Sequence, residues 1–171
     1  MTTRRRIPLL LGLMMAAMLA SGASADLDRV ERLVIERTNQ LRRAEGRAKV
    51  EPDAKLHRAA QEFADFMAKT GKYGHEADGR KPSDRVAAHG YAYCVVSENI
   101  SYQYSSDDFA TAELAIRYFE GWKKSPGHRA NMLERSVTDT AMAVSRSSET
   151  GRYYAVQLFG RPRSSGCQRA S

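Results

Sequence analysis

The chain has 171 residues and a formal net charge of +7, from 27 Lys and Arg residues against 20 Asp and Glu residues. The basic residues lie beside acidic ones, as in segment 29–37, which is typical of a solvated helix face and not of a nucleic-acid-binding surface. The sequence has no internal repeats and no glycine-rich phosphate loop, which excludes repeat architectures, phosphoryl transfer and dinucleotide binding.

The N-terminus has the organisation of a secretory signal peptide. Three arginines at positions 4–6 precede an apolar run over residues 7–20, and Ala23-Ser24-Ala25 supplies the small residues that signal peptidase accepts. The run is shorter than the roughly 20 residues of a membrane-spanning helix. We therefore expect residues 1–25 to be removed, leaving a secreted or periplasmic protein of net charge +4, three arginines fewer, with no stable membrane anchor. A retained anchor and twin-arginine export are the alternatives.

After the signal peptide, residues 26–162 have the size of one domain, and residues 163–171 form a C-terminal tail. The two cysteines are Cys94 and Cys167. An even number of cysteines in an oxidising compartment favours a disulfide, which would tether the tail to the segment before Glu98. Two free thiols and a metal pair are the alternatives. The metal pair ranks last because the spacing is not that of a structural zinc site.

The first half of the domain has helical periodicity. Apolar residues at steps of three, four and seven predict an amphipathic helix from Leu27 to near Gly46. A second helix is predicted to open at Pro52-Asp53 and to end at Gly71, which can take the left-handed conformation of a helix terminus. Pro82-Ser83 predicts the start of a short third helix that reaches about His89-Gly90.

The next segment, 101–108, is polar and aromatic and is predicted to be an exposed loop. Apolar residues over 109–122 then predict a helix that ends at Lys124. Ser125 followed by Pro126 is typical of a helix start, because the hydroxyl can accept a backbone N–H and proline needs no acceptor there. A short helix through Leu133 should follow.

The C-terminal part of the domain changes to a period of two. Met142 and Val144 alternate with small or polar residues, segment 147–151 resembles a turn, and residues 153–159 alternate again, which predicts a β-hairpin. Helices before a hairpin, without β-α-β alternation, indicate an α+β fold with a small sheet covered by helices. We expect a monomer.

Short polar motifs separate these elements. They are Tyr73-Gly74-His75, Asp78-Gly79, Arg85, Gly90-Tyr91, Glu98-Asn99-Ile100, Trp122, Ser125-Pro126-Gly127-His128-Arg129 and segment 154–160. This spaced set resembles the CAP superfamily of cysteine-rich secretory, antigen 5 and pathogenesis-related proteins, in its prokaryotic branch, over about residues 30–160. The resemblance implies an α-β-α sandwich with a small central antiparallel sheet, and a cleft in which His and Glu side chains meet.

The resemblance also assigns positions. It places the family's first histidine at His75 and the glutamate of its Glu-Asn-hydrophobic motif at Glu98. The eukaryotic branch has a second glutamate where this chain has Ser125 and a second histidine where it has Tyr154, so half of that tetrad is missing. This branch offers His128 instead, at a helix start just after Ser125.

The chemistry of these side chains indicates what they could do. A histidine beside a carboxylate suits general acid–base work near neutral pH, so His75 and Glu98 are candidate catalytic residues together with His128. His75 and His128 could also share a divalent metal such as zinc, with open positions for water. Asn99 is a candidate ligand-binding residue, as are the two residues at the missing tetrad positions, Ser125 and Tyr154.

Each candidate also has a structural interpretation. His75 could be a solvated loop histidine, and Glu98-Asn99 could be a turn or cap pair that satisfies backbone donors. His128 could merely occupy a first helical turn, where the helix dipole lowers its basicity. His57 and His89 match no motif and are interpreted as surface or packing residues.

Two functions remain, and the sequence leaves open whether the protein is an enzyme. The first is an exported binding module whose cleft, with the loop from Tyr102 to Tyr104, holds a lipid, glycan, peptide or cell-wall fragment. The second is a hydrolase-like enzyme that uses His75, Glu98 and His128, with or without a divalent metal. No Gly-x-Ser-x-Gly motif is present, and the missing half of the tetrad favours binding.

Overall fold

The structure is a computed structural model that describes residues 24–163 and Cys167. The predicted signal peptide lies outside the described residues except for Ser24 and Ala25, and the predicted tail lies outside them except for Arg163 and Cys167. No helix in the described part of the chain is long and apolar enough to cross a bilayer.

Nine elements form within these residues, five of them helices. In chain order they are α1 (Leu27–Ala44), β1 (Glu51–Pro52), α2 (Ala54–Thr70), α3 (Pro82–Ala88), β2 (Tyr93–Gln103), α4 (Thr111–Lys124), α5 (Pro126–Leu133), β3 (Asp139–Arg146) and β4 (Tyr153–Pro162). Asp53 caps α2 by accepting the backbone N–H groups of Lys55 and Leu56. Gly71 ends that helix in the left-handed conformation, with φ of 69°.

The four strands form one sheet in the order β1-β3-β4-β2. β4 pairs antiparallel with both β2 and β3, and the two-residue β1 adds a short parallel pair beside β3. β2 is therefore an edge strand, and its outer side faces the segments that carry the candidate site. The predicted α+β class and the small, mainly antiparallel central sheet are confirmed.

Helices cover both faces of the sheet and make two hydrophobic cores. Along β4, Tyr153, Ala155 and Phe159 point to the core shared with α1, α4 and α5, because alternate residues of a strand face opposite sides. Tyr154, Val156 and Leu158 point to the core shared with α2 and α3. This arrangement is the α-β-α sandwich that the resemblance implied.

Two local predictions are wrong. Residues 101–103 belong to β2 and not to a loop, and Glu98-Asn99 is the middle of that strand and not a turn or cap pair. The sequence does not predict β2, because both faces of this strand are covered and apolar and polar residues therefore do not alternate along it. Ser125 does precede α5, with Pro126 in the first turn, but its side chain accepts no backbone N–H.

Cys94 and Cys167 form a disulfide with their Cα atoms 5.7 Å apart. Cys94 lies near the start of β2. The bridge therefore ties the C-terminal tail to the strand that carries Glu98, as predicted.

Candidate functional site

The centre of the candidate site is a histidine–glutamate pair. His75 lies in the loop between α2 and α3, and its Nδ1 is 2.8 Å from Oε1 of Glu98 on β2. The Glu98 side chain is 1% exposed and the His75 side chain 51% exposed, so the carboxylate is the buried member of the pair. A carboxylate only accepts hydrogen bonds, so Nδ1 of His75 carries the proton and Nε2 is left for another partner. The hydrogen bond that His75 donates to Glu98 raises the pKa of His75, against the opposing effects of partial burial and the Arg85 charge.

The buried side chain of Arg85 binds both members of the pair. One guanidinium nitrogen, Nη2, lies 2.8 Å from Oε2 of Glu98 and 2.9 Å from the carbonyl oxygen of His75. The other, Nη1, lies 2.8 Å from both Oδ1 of Asp78 and the carbonyl oxygen of Arg80. Both oxygens of Glu98 are therefore engaged within the protein, and the loop that carries His75 is bound at three points.

The Arg85 side chain is 1% exposed, and its guanidinium lies 3.6 Å from the centre of the Phe63 ring. Burial of a charge is costly unless it is paired, and Arg85 has two carboxylate partners, Asp78 and Glu98. Arg85 and Asp78 stood among the motif residues of the sequence, but no local pattern predicted the contact with Glu98. Their role in the site emerges only from the fold.

The ion pairs continue from Asp78 to the surface of α2. Arg80 donates to Asp78 at 2.9 Å and to Glu62 at 2.6 Å, and Glu62 lies 2.6 Å from Nε2 of His89. The hydrogen bonds from Arg80 and His89 lower the pKa of Glu62. A chain of alternating charges thus runs from an exposed helix face to His75, and His89 is a surface residue of this chain.

His128 approaches the same strand from the other side. Asn99 donates from Nδ2 to the carbonyl oxygen of His128 at 3.2 Å and to Oε1 of Gln157 at 3.1 Å. Asn131 in turn donates to Oδ1 of Asn99 at 2.9 Å and to the carbonyl oxygen of Glu98 at 3.2 Å. These hydrogen bonds of the asparagine side chains hold α5 against the outer edge of β2.

The two histidines interact electrostatically. Burial lowers the pKa of His128, and the charge of His75 lowers it further. The direction is the one expected from the sequence, and burial is its largest cause. His75 and His128 thus both lie against β2, bound to the neighbouring residues Glu98 and Asn99.

The other two candidates lie apart from this cluster. Tyr154 is 0% exposed, on the central strand β4 beneath α2, so it is a core residue and cannot touch a ligand at the surface. Ser125 is half-buried and makes no side-chain hydrogen bond that links it to His75 or Glu98. Gln157 faces the opposite side of the sheet from Tyr154 and donates to Thr38 at 3.0 Å.

The donor set is small for a metal site. Within residues 24–163 and Cys167, no group of three or more His, Cys, Asp or Glu side chains is placed to hold a metal ion. His75 and His128 would be two ligands, but Glu98 is already bound to His75 and Arg85. The site therefore does not fit the three or four protein ligands of typical zinc sites.

A separate groove of about 510 Å³ lies between α1, α2 and β3. Glu31 and His57 line it, with Nε2 of His57 3.1 Å from Oε2 of Glu31, whose other oxygen accepts the Val144 N–H. None of the candidate site residues borders this groove. His57 thus ties α1 to α2, in agreement with its interpretation as a surface or packing residue.

Residues 35–159 match the sequence model of the CAP family, whose description is "Cysteine-rich secretory protein family". The match includes the whole cluster of His75, Glu98, Asn99 and His128. No curated protein sequence matches the chain.

Solved structures share the fold. An outer surface protein from Borrelia burgdorferi superposes with a TM-score of 0.67 at 17% identity, over 77% of this chain and 92% of that one. An extracellular protein containing a SCP domain from Bacillus anthracis gives 0.66 at 20% identity, over 79% of this chain and 41% of that longer one. NaASP2, solved with Zn²⁺, gives 0.58 at 15% identity, over 81% and 84%. At these identities the likeness concerns the fold alone.

Proposed function

The chain belongs to the cysteine-rich secretory protein (CAP) family, and we propose that it is an exported domain that binds an extracytoplasmic ligand at the surface formed by His75, Glu98 and His128. The ligand classes are a lipid, a glycan, a peptide or a cell-wall fragment. The predicted signal peptide, the disulfide and the extracellular description of the Bacillus anthracis neighbour support export.

The observation that carries the binding proposal is the complete engagement of Glu98. One of its oxygens accepts from His75 and the other from Arg85, both at 2.8 Å. A general base needs a free basic atom, and Glu98 has none that is uncommitted. Its role is to hold His75 with Nε2 turned away from the pair, so that Nε2 of His75 and the ring of His128 are the groups that meet a ligand.

A hydrolase-like enzyme is the second candidate, and one observation favours it. A carboxylate that fixes the tautomer of a histidine is the arrangement of many hydrolytic bases, and His75 with Glu98 has that geometry. In this version His75 Nε2 would accept a proton from water or substrate. The neighbour NaASP2 was solved with Zn²⁺, so zinc is the metal to test at His75 and His128, although we derive no zinc-dependent step from two ligands.

Side-chain NMR of the histidines tests the binding proposal. The mature protein would be titrated with laurate for the lipid class, with chitohexaose for the glycan class, and with muramyl dipeptide for the peptide and cell-wall classes. We expect at least one of these probes to shift the imidazole signals of both His75 and His128 while those of His57 stay in place, and His75→Ala to abolish the shift at His128. The proposal would be overturned if none of the three probes shifts either imidazole signal. It would also be overturned if a probe still binds to the His75→Ala, His128→Ala variant.

Measurements of catalytic turnover distinguish the enzyme hypothesis from the binding proposal. Hydrolysis of p-nitrophenyl acetate and of casein would be followed for the wild type and for His75→Ala, with His57→Ala as the matched control. Turnover lost only in His75→Ala supports the enzyme. Zinc titration of the same variants decides the metal question, because binding unchanged in the His75→Ala, His128→Ala variant excludes these histidines as ligands.

A further inference from the structure

Three tyrosines are exposed on one side of the candidate site. Tyr73, Tyr102 and Tyr104 are 48%, 41% and 61% exposed, and among the described residues the only other large apolar side chain so exposed is Ile116 of α4. Folded proteins usually bury much of their aromatic surface, so a group of exposed rings marks a contact surface.

The Tyr73 and Tyr102 rings are in contact, and Tyr104 borders the adjacent turn. The centres of the Tyr73 and Tyr102 rings lie 5.2 Å apart, nearly perpendicular. Tyr104 lies against the turn between β3 and β4, where a Cβ placed on Gly151 would be 3.6 Å from its ring. The next residue in that turn, Arg152, places its guanidinium 4.9 Å from the centre of the Tyr102 ring. We name Tyr73, Tyr102, Tyr104 and Arg152 the tyrosine platform.

The platform adjoins the His75–Glu98 pair. Tyr73 is two residues from His75 in the same loop, and its hydroxyl donates to the carbonyl oxygen of Ile100 on β2 at 3.2 Å. Tyr102 lies four residues after Glu98 on the same face of β2, a distance of about 13 Å along the strand. One extended ligand can therefore reach both.

Arg152 is the charged member of the platform. No carboxylate within residues 24–163 lies within ion-pair distance of its guanidinium, whereas the neighbouring Arg146 is paired with Asp108 at 3.1 Å. A guanidinium offers a planar fork of donors that suits a carboxylate. The platform thus combines aromatic faces, three hydroxyl groups and one cation that no carboxylate of residues 24–163 pairs.

We propose that the tyrosine platform binds a glycan that carries carboxylate groups, with sugar rings on the tyrosine faces and a carboxylate on Arg152. Sugar rings present C–H groups to aromatic faces and hydroxyl groups to polar neighbours, which tyrosine serves with its apolar body and polar tip. A lipid chain would need an aliphatic groove, but the exposed large side chains here are all tyrosines. This assignment deepens the proposed function, on which it rests, by selecting the glycan from its four ligand classes.

The test uses two hexasaccharides with the mature protein: a hyaluronan hexasaccharide, which alternates glucuronate with N-acetylglucosamine, and neutral chitohexaose. NMR signals of the tyrosine rings report on the platform, and those of the His75 and His128 imidazoles report on the histidine site. We expect the hyaluronan hexasaccharide to bind more tightly and Tyr102→Ala to weaken both sugars by about tenfold. Arg152→Gln should weaken the charged sugar alone by about tenfold.

Matched controls separate these effects from general surface changes. Ile116→Ala removes an exposed apolar side chain from α4, and Arg58→Gln removes an exposed cation from α2, so neither should alter the affinity. Tyr104→Ala, at the most exposed ring, repeats the stacking test with little risk to folding.

The outcomes distinguish the two proposals. Tyrosine shifts without histidine shifts would support the platform and count against the histidine site as the ligand site. Histidine shifts without tyrosine shifts, equal affinity for the two sugars, or equal losses for both sugars in Arg152→Gln would overturn the carboxylate-glycan platform.

Discussion

Glu98 and Asn99 are neighbours on β2, their side chains leave opposite faces of the sheet, and each holds one of the two site histidines. The Glu98 carboxylate lies 2.8 Å from Nδ1 of His75, and the Asn99 amide donates to the carbonyl oxygen of His128 at 3.2 Å. A strand turns successive side chains to opposite faces, so a dipeptide can bind two segments that meet at the outer edge of the strand. The edge position of β2 is therefore what assembles the site.

Replacing Glu98 by glutamine should release His75 and destabilise the fold. Arg85 would lose one of its two counter-ions while remaining buried, which we expect to cost about 3 kcal/mol of unfolding free energy. The pKa of His75 should fall toward its ordinary value of about 6.5. Urea unfolding and an NMR pH titration measure the two effects. Glu62→Gln, in an exposed pair, should cost less than about 1 kcal/mol, and equal costs for the two variants would contradict the assigned role of Glu98.

Arg85→Lys keeps the charge but not the geometry. A lysine ammonium cannot reproduce the fork that reaches Glu98, Asp78 and two carbonyl oxygens, so we expect a loss of about 2 kcal/mol. Amide hydrogen exchange in loop 74–80 should become faster, because three of its groups are bound by Arg85. Arg80→Lys is the control, because the Arg80 side chain is itself 39% exposed and pairs with Glu62 and Asp78 from the protein surface. Unchanged exchange in the loop would show that Arg85 does not position it.

Asn99→Ala should disturb the two histidines unequally. The substitution removes the bond to the His128 carbonyl, the donor to Oε1 of Gln157 and one of the two acceptors of Asn131, at a cost of about 2 kcal/mol. The His75 imidazole signal should stay near its wild-type position, because its partners lie on the other face of the sheet. A shift of His75 as large as that of His128 would refute this division between the two faces.

The Glu31–His57 pair should make stability depend on pH. The hydrogen bond that His57 donates to Glu31 raises the pKa of His57, so protonated His57 favours the folded state. This contribution is fully present below the unfolded pKa of about 6.5 and is lost as pH rises through the raised folded pKa. Because His57 is half-exposed, we expect a difference of less than about 1 kcal/mol between wild type and His57→Gln, largest at low pH. A difference that instead grows with rising pH would have the wrong sign.

Much of the fold could be predicted from the sequence because its signals are local. Asp53 and Gly71 mark the ends of α2 through cap chemistry, and Pro126 marks the start of α5. The β3–β4 hairpin follows from alternation around a turn. β2 gave no such signal, because both faces are covered and it carries polar groups such as Glu98 that bond across the fold instead of facing water.

The candidate site was predictable in part. The family motifs assigned His75 and Glu98 to the site. The 2.8 Å distance between their side chains could not be predicted from their spacing along the chain. The role of Arg85 in the site could not be inferred, since its partner Glu98 lies on a strand that the sequence did not reveal. Tyr154 stands where the eukaryotic branch has its second histidine, but burial on the central strand removes it from the surface.

A single NMR pH titration of both imidazoles tests most directly whether His75, bound to Glu98, and His128, bound to Asn99, belong to one site. We expect a His75 pKa above about 6.5 with the proton on Nδ1 in the neutral ring, and a His128 pKa below about 6.5 that rises in His75→Ala. A His128 pKa that does not respond to His75→Ala, together with a His75 pKa at or below about 6.5, would contradict it.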